Sequence, residues 1–285
     1  MSQLLTLALP STARTRSLTT RRAEFAAIDM AAADSAPTLG TVVMVPGFMG
    51  SKEDFLPMLP ALSRAGCRVI ALDGRGQYAS GGPHPPGAYT REELAQDLVA
   101  VVEAIGDGPV HLVGHSYGAL LARFAVLETR GDPALWRSLT LMNFGPAAVS
   151  FDQRERLRLL LSVIGSLALE DIWPFLDNQD TEVADDIRAF LRSRWLANDP
   201  HHIKAAAEHL LDEPDRTPAL AALPLPRVVV SGSPDLTWPP PGVAAMAHTL
   251  SAHLIDVPGG GHSPNVHRPE ETATALVDFW GSRLS

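Results

Sequence analysis

Short apolar runs separated by helical periodicity constrain this chain more than any other feature. The run Thr41-Val42-Val43-Met44-Val45 ends at Pro46-Gly47, and residues 67–72 end at Asp73-Gly74, so each reads as a buried strand closed by a turn. Residues 110–113, 139–142, 228–230 and 253–257 repeat the pattern. Between the runs lie amphipathic segments, clearest over 90–105. There Thr90 and Glu93 have capping-box spacing, and Leu94, Leu98, Val101, Val102 and Ile105 recur on one face. Strands that are apolar throughout and alternate with helices predict an α/β fold, its mostly parallel central sheet flanked by helices on both faces.

The alternation stops after Met142 and resumes at Arg227. Residues 147–222 read instead as consecutive amphipathic helices, with apolar positions at Leu157, Leu160, Leu161 and Ile164 and later at Ile187, Phe190 and Leu191. This predicts a helical cap inserted between two strands, with the core domain formed by 1–146 and 223–285. The proline-rich piece 218–226 carries the chain back to the core. Residues 1–22 hold four arginines and no acid but lack the charged-then-apolar order of a secretory signal, so they are expected to be a disordered or strand-forming leader.

Composition narrows the partners. A chain of 285 residues, 46% hydrophobic and 19% charged, can bury a substantial core. A net charge of -9 without a long basic block argues against a nucleic-acid surface and a polybasic membrane anchor, and favours a neutral or apolar small substrate. No apolar run approaches the roughly 18 to 20 residues of a membrane span. The one cysteine, Cys67, lies in an apolar run and reads as a buried structural thiol, a usage that suits a reducing cytoplasm. Lysine occurs only at Lys52 and Lys204 among 23 basic residues, which suggests a GC-rich bacterial source. Oligomeric state leaves no mark on the sequence.

The chemistry centres on Gly114-His115-Ser116-Tyr117-Gly118. The pentapeptide alone is suggestive only, but it directly follows the strand at 110–113 and precedes a helical stretch at 119–128, the strand, tight turn and helix setting of a nucleophilic serine. The two glycines remove side chains where backbones crowd and leave Ser116 in a strained, exposed position. A serine hydroxyl needs a base to take its proton, and the base needs a carboxylate. His262 lies in Gly259-Gly260-Gly261-His262 beyond one strand, and Asp235 lies in Ser231-Gly232-Ser233-Pro234-Asp235 beyond another, giving the order Ser116, Asp235, His262.

On these motifs the chain resembles the α/β-hydrolase superfamily from about Thr41 to its C-terminus, and in particular the capped serine esterase and thioesterase-like members. The resemblance implies a triad of Ser116, Asp235 and His262. A family variant puts the acid one strand earlier, but the sequence there runs Asn143-Phe144-Gly145-Pro146, and the first acid is Asp152. Asp256 sits within the last strand, too near His262 in sequence for the usual geometry. The resemblance also implies an oxyanion hole from the backbone N–H groups of Tyr117 and Phe48, although Pro46-Gly47 stands where many relatives have His-Gly. Asp73-Gly74-Arg75-Gly76-Gln77-Tyr78-Ala79-Ser80 is similar to a structural loop of the family, with Tyr78 where glycine is common.

Bland roles are expected elsewhere. His115 should pack or hydrogen-bond away from the nucleophile, and His201, His202, His209 and His267 lack metal-ligand spacing, so no metal is predicted. The glycine patterns match neither dinucleotide nor phosphate loops, so no cofactor is predicted. Phe48, Met49, Tyr117, Trp173, Phe175, Trp195 and Trp238 are candidates for an apolar substrate pocket, weighed against ordinary core packing. The resulting expectation is a serine hydrolase that cleaves an ester of a small to medium apolar acyl compound. Thioester hydrolysis and lactone-forming cyclisation share every residue, and a non-hydrolytic, ligand-binding relative is the alternative of another class. Ser116 argues against dehalogenase and epoxide hydrolase relatives, which place aspartate at this position.

Overall fold

The apolar runs assemble into one sheet. In the computed structural model, which describes residues 4–34, 38–82, 84–177 and 183–282, eight strands are present among the described residues. They are β1 (Ala13–Thr19), β2 (Glu24–Met30), β3 (Gly40–Val45), β4 (Cys67–Leu72), β5 (Val110–His115), β6 (Trp136–Met142), β7 (Arg227–Ser233) and β8 (His253–Pro258). Their order is β1-β2-β4-β3-β5-β6-β7-β8. From β4 to β8 all neighbours are parallel, whereas β1 pairs antiparallel with β2, and β2 antiparallel with β4.

The strands β1 and β2 were not individually legible as strands. Four consecutive residues of β1 are exposed, because an edge strand with a solvated face shows no apolar run. The strand-forming expectation for the leader is met at 13–19, while residues 1–3 lie outside the described residues.

The helices are α1 (Leu59–Arg64), α2 (Arg91–Ile105), α3 (Tyr117–Glu128), α4 (Phe151–Val163), α5 (Leu169–Leu176), α6 (Asp185–Leu196), α7 (Pro200–Asp212), α8 (Thr217–Ala221), α9 (Pro240–Thr249), α10 (Pro264–His267) and α11 (Pro269–Gly281). Half of the expected capping box forms: the Glu93 N–H donates to Thr90 Oγ1 at 3.2 Å, while the Glu93 carboxylate pairs with Arg22, and α2 ends at the left-handed Gly106. Alternate strand residues serve opposite layers. Val43, Val45, Leu112, Leu141 and Val229 pack with α2, α3 and α9, and Val42, Met44, Val113, Met142 and Val230 pack with α1 and α11.

Helices α4 to α8 occupy the interval between β6 and β7. Buried polar contacts tie them to the sheet layer: Arg194 of α6 donates to Asp54 at 2.7 Å, Arg123 of α3 donates to Glu213 at 2.7 Å, and the Tyr89 hydroxyl donates to Asp199 at 2.6 Å. Their apolar faces close a separate small core that contains Leu160, Ile172, Trp173, Trp195 and Ile203. Among the described residues no helix is long and apolar enough to cross a membrane.

Candidate active site

The loops beyond the C-terminal ends of β3, β5, β6, β7 and β8 converge, as parallel α/β sheets commonly arrange their ligand sites. At the end of β5 the chain turns directly into α3. Ser116 takes the turn at φ 54° and ψ −119°, a backbone state that costs an L-residue on the order of 1–3 kcal/mol. The flanking glycines are obligatory for steric reasons. A Cβ on Gly114 would lie 2.5 Å from the Gly118 carbonyl oxygen, and one on Gly118 would lie 2.3 Å from the Val45 carbonyl oxygen.

Ser116 Oγ lies 3.0 Å from His262 Nε2, and His262 Nδ1 lies 2.9 Å from Asp235 Oδ2. With the carboxylate accepting from Nδ1–H, Nε2 carries the lone pair that accepts from the serine hydroxyl. Asp235 is buried, and burial alone would raise its pKa. The hydrogen bond and charge of His262, together with hydrogen bonds from Asn143 and the Thr237 N–H, outweigh that and hold it below the ordinary carboxylate value.

Asn143 is the residue that sequence reasoning passed over. It follows β6 at φ 45°, at the place searched for an alternative acid. Its Nδ2 lies 3.0 Å from Asp235 Oδ2, 2.9 Å from the Gly261 carbonyl and 3.1 Å from the Gly232 carbonyl, while its Oδ1 accepts from the Gly232 N–H at 3.0 Å. One amide thus joins the loops that carry Asp235 and His262. The available signal was the polar residue itself, alone at the end of an apolar strand.

His115 does form a hydrogen bond beside Ser116, and its partner is the backbone of His262. Its Nε2–H donates to the His262 carbonyl at 2.7 Å, and burial pushes its pKa down to about 4, which keeps it neutral. The Phe48 and Tyr117 N–H groups take no acceptor among the described residues. The loop that bears Phe48 is braced from the Asp73 loop, where Gln77 Nε2 donates to the Gly47 carbonyl at 3.0 Å. Gln77 in turn accepts from the Gly74 N–H at 2.9 Å. That side chain supports the Pro46-Gly47 turn.

A cavity of about 460 Å³ opens over Ser116 and His262, with Phe48, Met49, Phe175 and Trp238 among its lining. Phe175 is 86% exposed and forms part of the rim. Trp238 stacks near His262 and donates from Nε1 to the Ala147 carbonyl at 2.9 Å. Two sequence-based pocket assignments are corrected: Trp173 and Trp195 do not line this cavity. They lie in the core between the inserted helices, where the Trp195 Nε1–H is satisfied by the Leu169 carbonyl at 2.6 Å. Large amphipathic rings gain most where the ring is covered and the N–H has a partner. The Tyr117 ring is likewise buried, with its hydroxyl 3.0 Å from His209 Nδ1. His202 and His209 are buried among the inserted helices, His201 is exposed, and His267 lies on the cavity wall.

Comparison with known proteins agrees with this architecture. A model described as "Alpha/beta hydrolase family" matches residues 42–275. A protein of Pantoea ananatis named "Putative carbamate hydrolase RutD" is 30% identical over 250 residues, covering 84% of this chain and 87% of that protein. Two solved structures share the fold. A hydrolase from Pseudomonas aeruginosa PA01 superposes with a TM-score of 0.74 at 22% identity, covering 95% of this chain and 99% of that one. A bromoperoxidase from Bacillus anthracis superposes with a TM-score of 0.76 at 19% identity, covering 94% and 100%.

Proposed function

The chain belongs to the alpha/beta hydrolase family, and on that premise we propose that it is a serine hydrolase that cleaves a carboxylic ester of a small to medium acyl compound through an acyl-enzyme on Ser116. The observation that carries this reading is the continuous chain from Ser116 Oγ through His262 to Asp235, with steps of 3.0 and 2.9 Å, beneath a cavity lined by both apolar and polar side chains.

In the first step His262 Nε2 takes the Ser116 proton as Oγ bonds to the substrate carbonyl carbon. The charge that develops on the carbonyl oxygen is met by the Phe48 and Tyr117 N–H groups. Collapse breaks the bond to the leaving group, which departs with the proton from His262. Water then adds to the acyl-enzyme, giving its proton to His262, and the carbonyl re-forms as Ser116 Oγ leaves and recovers that proton. Asp235 stabilises the imidazolium at both stages. Residues 147–222 act as a cap that keeps bulk water from the oxyanion site, where lower polarity strengthens each polar contact. The buried thiol Cys67 suits action in a bacterial cytoplasm.

A fluorophosphonate probe should label the wild type and fail to label Ser116→Ala. Equal labelling of both removes Ser116 from the role. The similarity to RutD favours one second reading, cleavage of a carbamate by the same addition and collapse. A panel of esters, thioesters and carbamates with matched acyl chains separates these chemistries by kcat/KM.

A further inference from the structure

The face that α4 turns toward the cavity carries a charge that the chemistry at Ser116 does not use. Gln153, Arg156, Leu157 and Leu160 all line the cavity, and steps of three, four and seven residues from Gln153 put them on one side of the helix. Leu157 and Leu160 are buried, Gln153 is half-buried and Arg156 is exposed, so an apolar surface ends in a solvent-accessible guanidinium. Asp152, one turn earlier on the helix, lines a neighbouring cavity, and other charges of the helices between β6 and β7 have partners of their own. Arg154 Nε donates to the Val149 carbonyl at 2.9 Å, Glu155 pairs with Arg158, Glu170 pairs with Arg192, and Arg188 donates to Asp177 at 2.5 Å. Arg156 has no acceptor among the described residues.

The wall is also selective in what it omits. The chain holds 32 acidic and 23 basic residues, yet among the described residues no aspartate or glutamate lines this cavity. Arg156 therefore sets a local positive potential at this cavity of an acidic protein, with no carboxylate among the described lining residues. A planar guanidinium fork matches the two oxygens of a carboxylate, and the half-buried Gln153 amide beside it offers one further donor.

We propose that the substrate carries a carboxylate remote from its scissile carbonyl and that Arg156 recognises it, with Gln153 as a second donor; this rests on the ester-hydrolase reading above. The apolar surface formed by Leu157 and Leu160 then spans the segment between the two polar ends. Arg156 acts as a specificity-determining residue and takes no part in bond breaking.

Binding to the Ser116→Ala protein tests this without turnover. Calorimetry with monomethyl suberate and dimethyl suberate compares two probes that differ only in the remote carboxylate, placed on the acyl side. The octanoyl ester of glycolic acid against that of glycolamide makes the same comparison on the leaving-group side. In one of the two pairs the anionic probe should bind at least about tenfold more tightly, and the preference should weaken as ionic strength rises. Arg156→Gln should abolish the preference while leaving the affinity of the neutral probe unchanged, and Arg156→Lys, which keeps the charge but loses the fork, should retain part of it. Equal affinity within both pairs, or a preference that survives Arg156→Gln, overturns the assignment. Anion preference in a protein whose wild type resists the fluorophosphonate probe would instead overturn only the hydrolytic reading.

Discussion

Removing the Asn143 side chain should separate a residue that merely fills space from one that positions the triad. Asn143 is 1% exposed, and its amide serves four partners on two loops. In Asn143→Ala the Gly232 N–H loses its acceptor inside the protein, which costs about 1–3 kcal/mol. The Gly261 carbonyl and Asp235 Oδ2 lose a donor at the same time, and an alanine at φ 45° adds roughly 1 kcal/mol of backbone cost. The sum is about 2–4 kcal/mol, or a Tm lower by roughly 4–10 °C for a chain of this size.

Asn143→Gly is free of the φ cost, so the loss common to both variants belongs to the side chain. The Asp235 carboxylate also loses one of the hydrogen bonds that hold its pKa down. Its protonation in the variant therefore begins at higher pH than in the wild type. With Asp235 and the Gly261 carbonyl no longer tied together, the carboxylate is held less firmly against the imidazole, and kcat should fall about 10–100-fold, equivalent to about 1.4–2.7 kcal/mol, with KM within about twofold. Steady-state kinetics across pH and thermal unfolding of both variants check this. A normal kcat in a destabilised protein would refute the positioning role.

Three further outcomes follow from the same geometry. Asp235→Asn should leave the protein folded but lower kcat by roughly 10³–10⁴-fold, because the imidazole loses both its orienting acceptor and its charge partner, and unchanged kinetics would remove Asp235 from the triad. Glu213→Leu should destabilise by about 3–5 kcal/mol in urea unfolding, since Glu213 and Arg123 are each 1% exposed at the side chain and the cation would stay buried without its acid; a loss below about 1 kcal/mol would contradict that. Burial pushes His111, His115 and His202 down to about 4 and His209 to about 3, so between the ordinary value of 6.5 and those values the unfolded chain binds protons that the native protein refuses. Stability should be fully present above about pH 6.5 and fall as pH drops toward 4, by on the order of 1–2 kcal/mol per histidine at pH 5, and a flat Tm from pH 7 to pH 5 would count against neutral burial.

The sequence by itself determined the features whose signal is local. Apolar runs closed by glycine, proline or aspartate marked β3 to β7, because strands covered on both faces must be apolar along most of their length, while the edge strand β8 was marked by its alternate apolar residues. The Gly114 to Gly118 turn marked Ser116, because backbone crowding there excludes any Cβ at the two glycines. Asp235 and His262 could be read from their places beyond strand ends.

Tertiary structure alone decided which distant side chains meet. Asn143 reaches Asp235 across 92 residues of sequence and Gly261 across 118, so no local pattern distinguishes it from a turn asparagine. Trp173 and Trp195 look like pocket residues by type, and only the packing of the inserted helices shows that their rings are covered by one another's neighbours. Gln77 becomes a brace because the Asp73 loop folds against Gly47, and Arg156 becomes a cavity residue because α4 turns that face inward. Strand and turn signals report short-range sterics and burial along a single element. The partners of a polar side chain are set by how elements pack, and that arrangement is a property of the whole core.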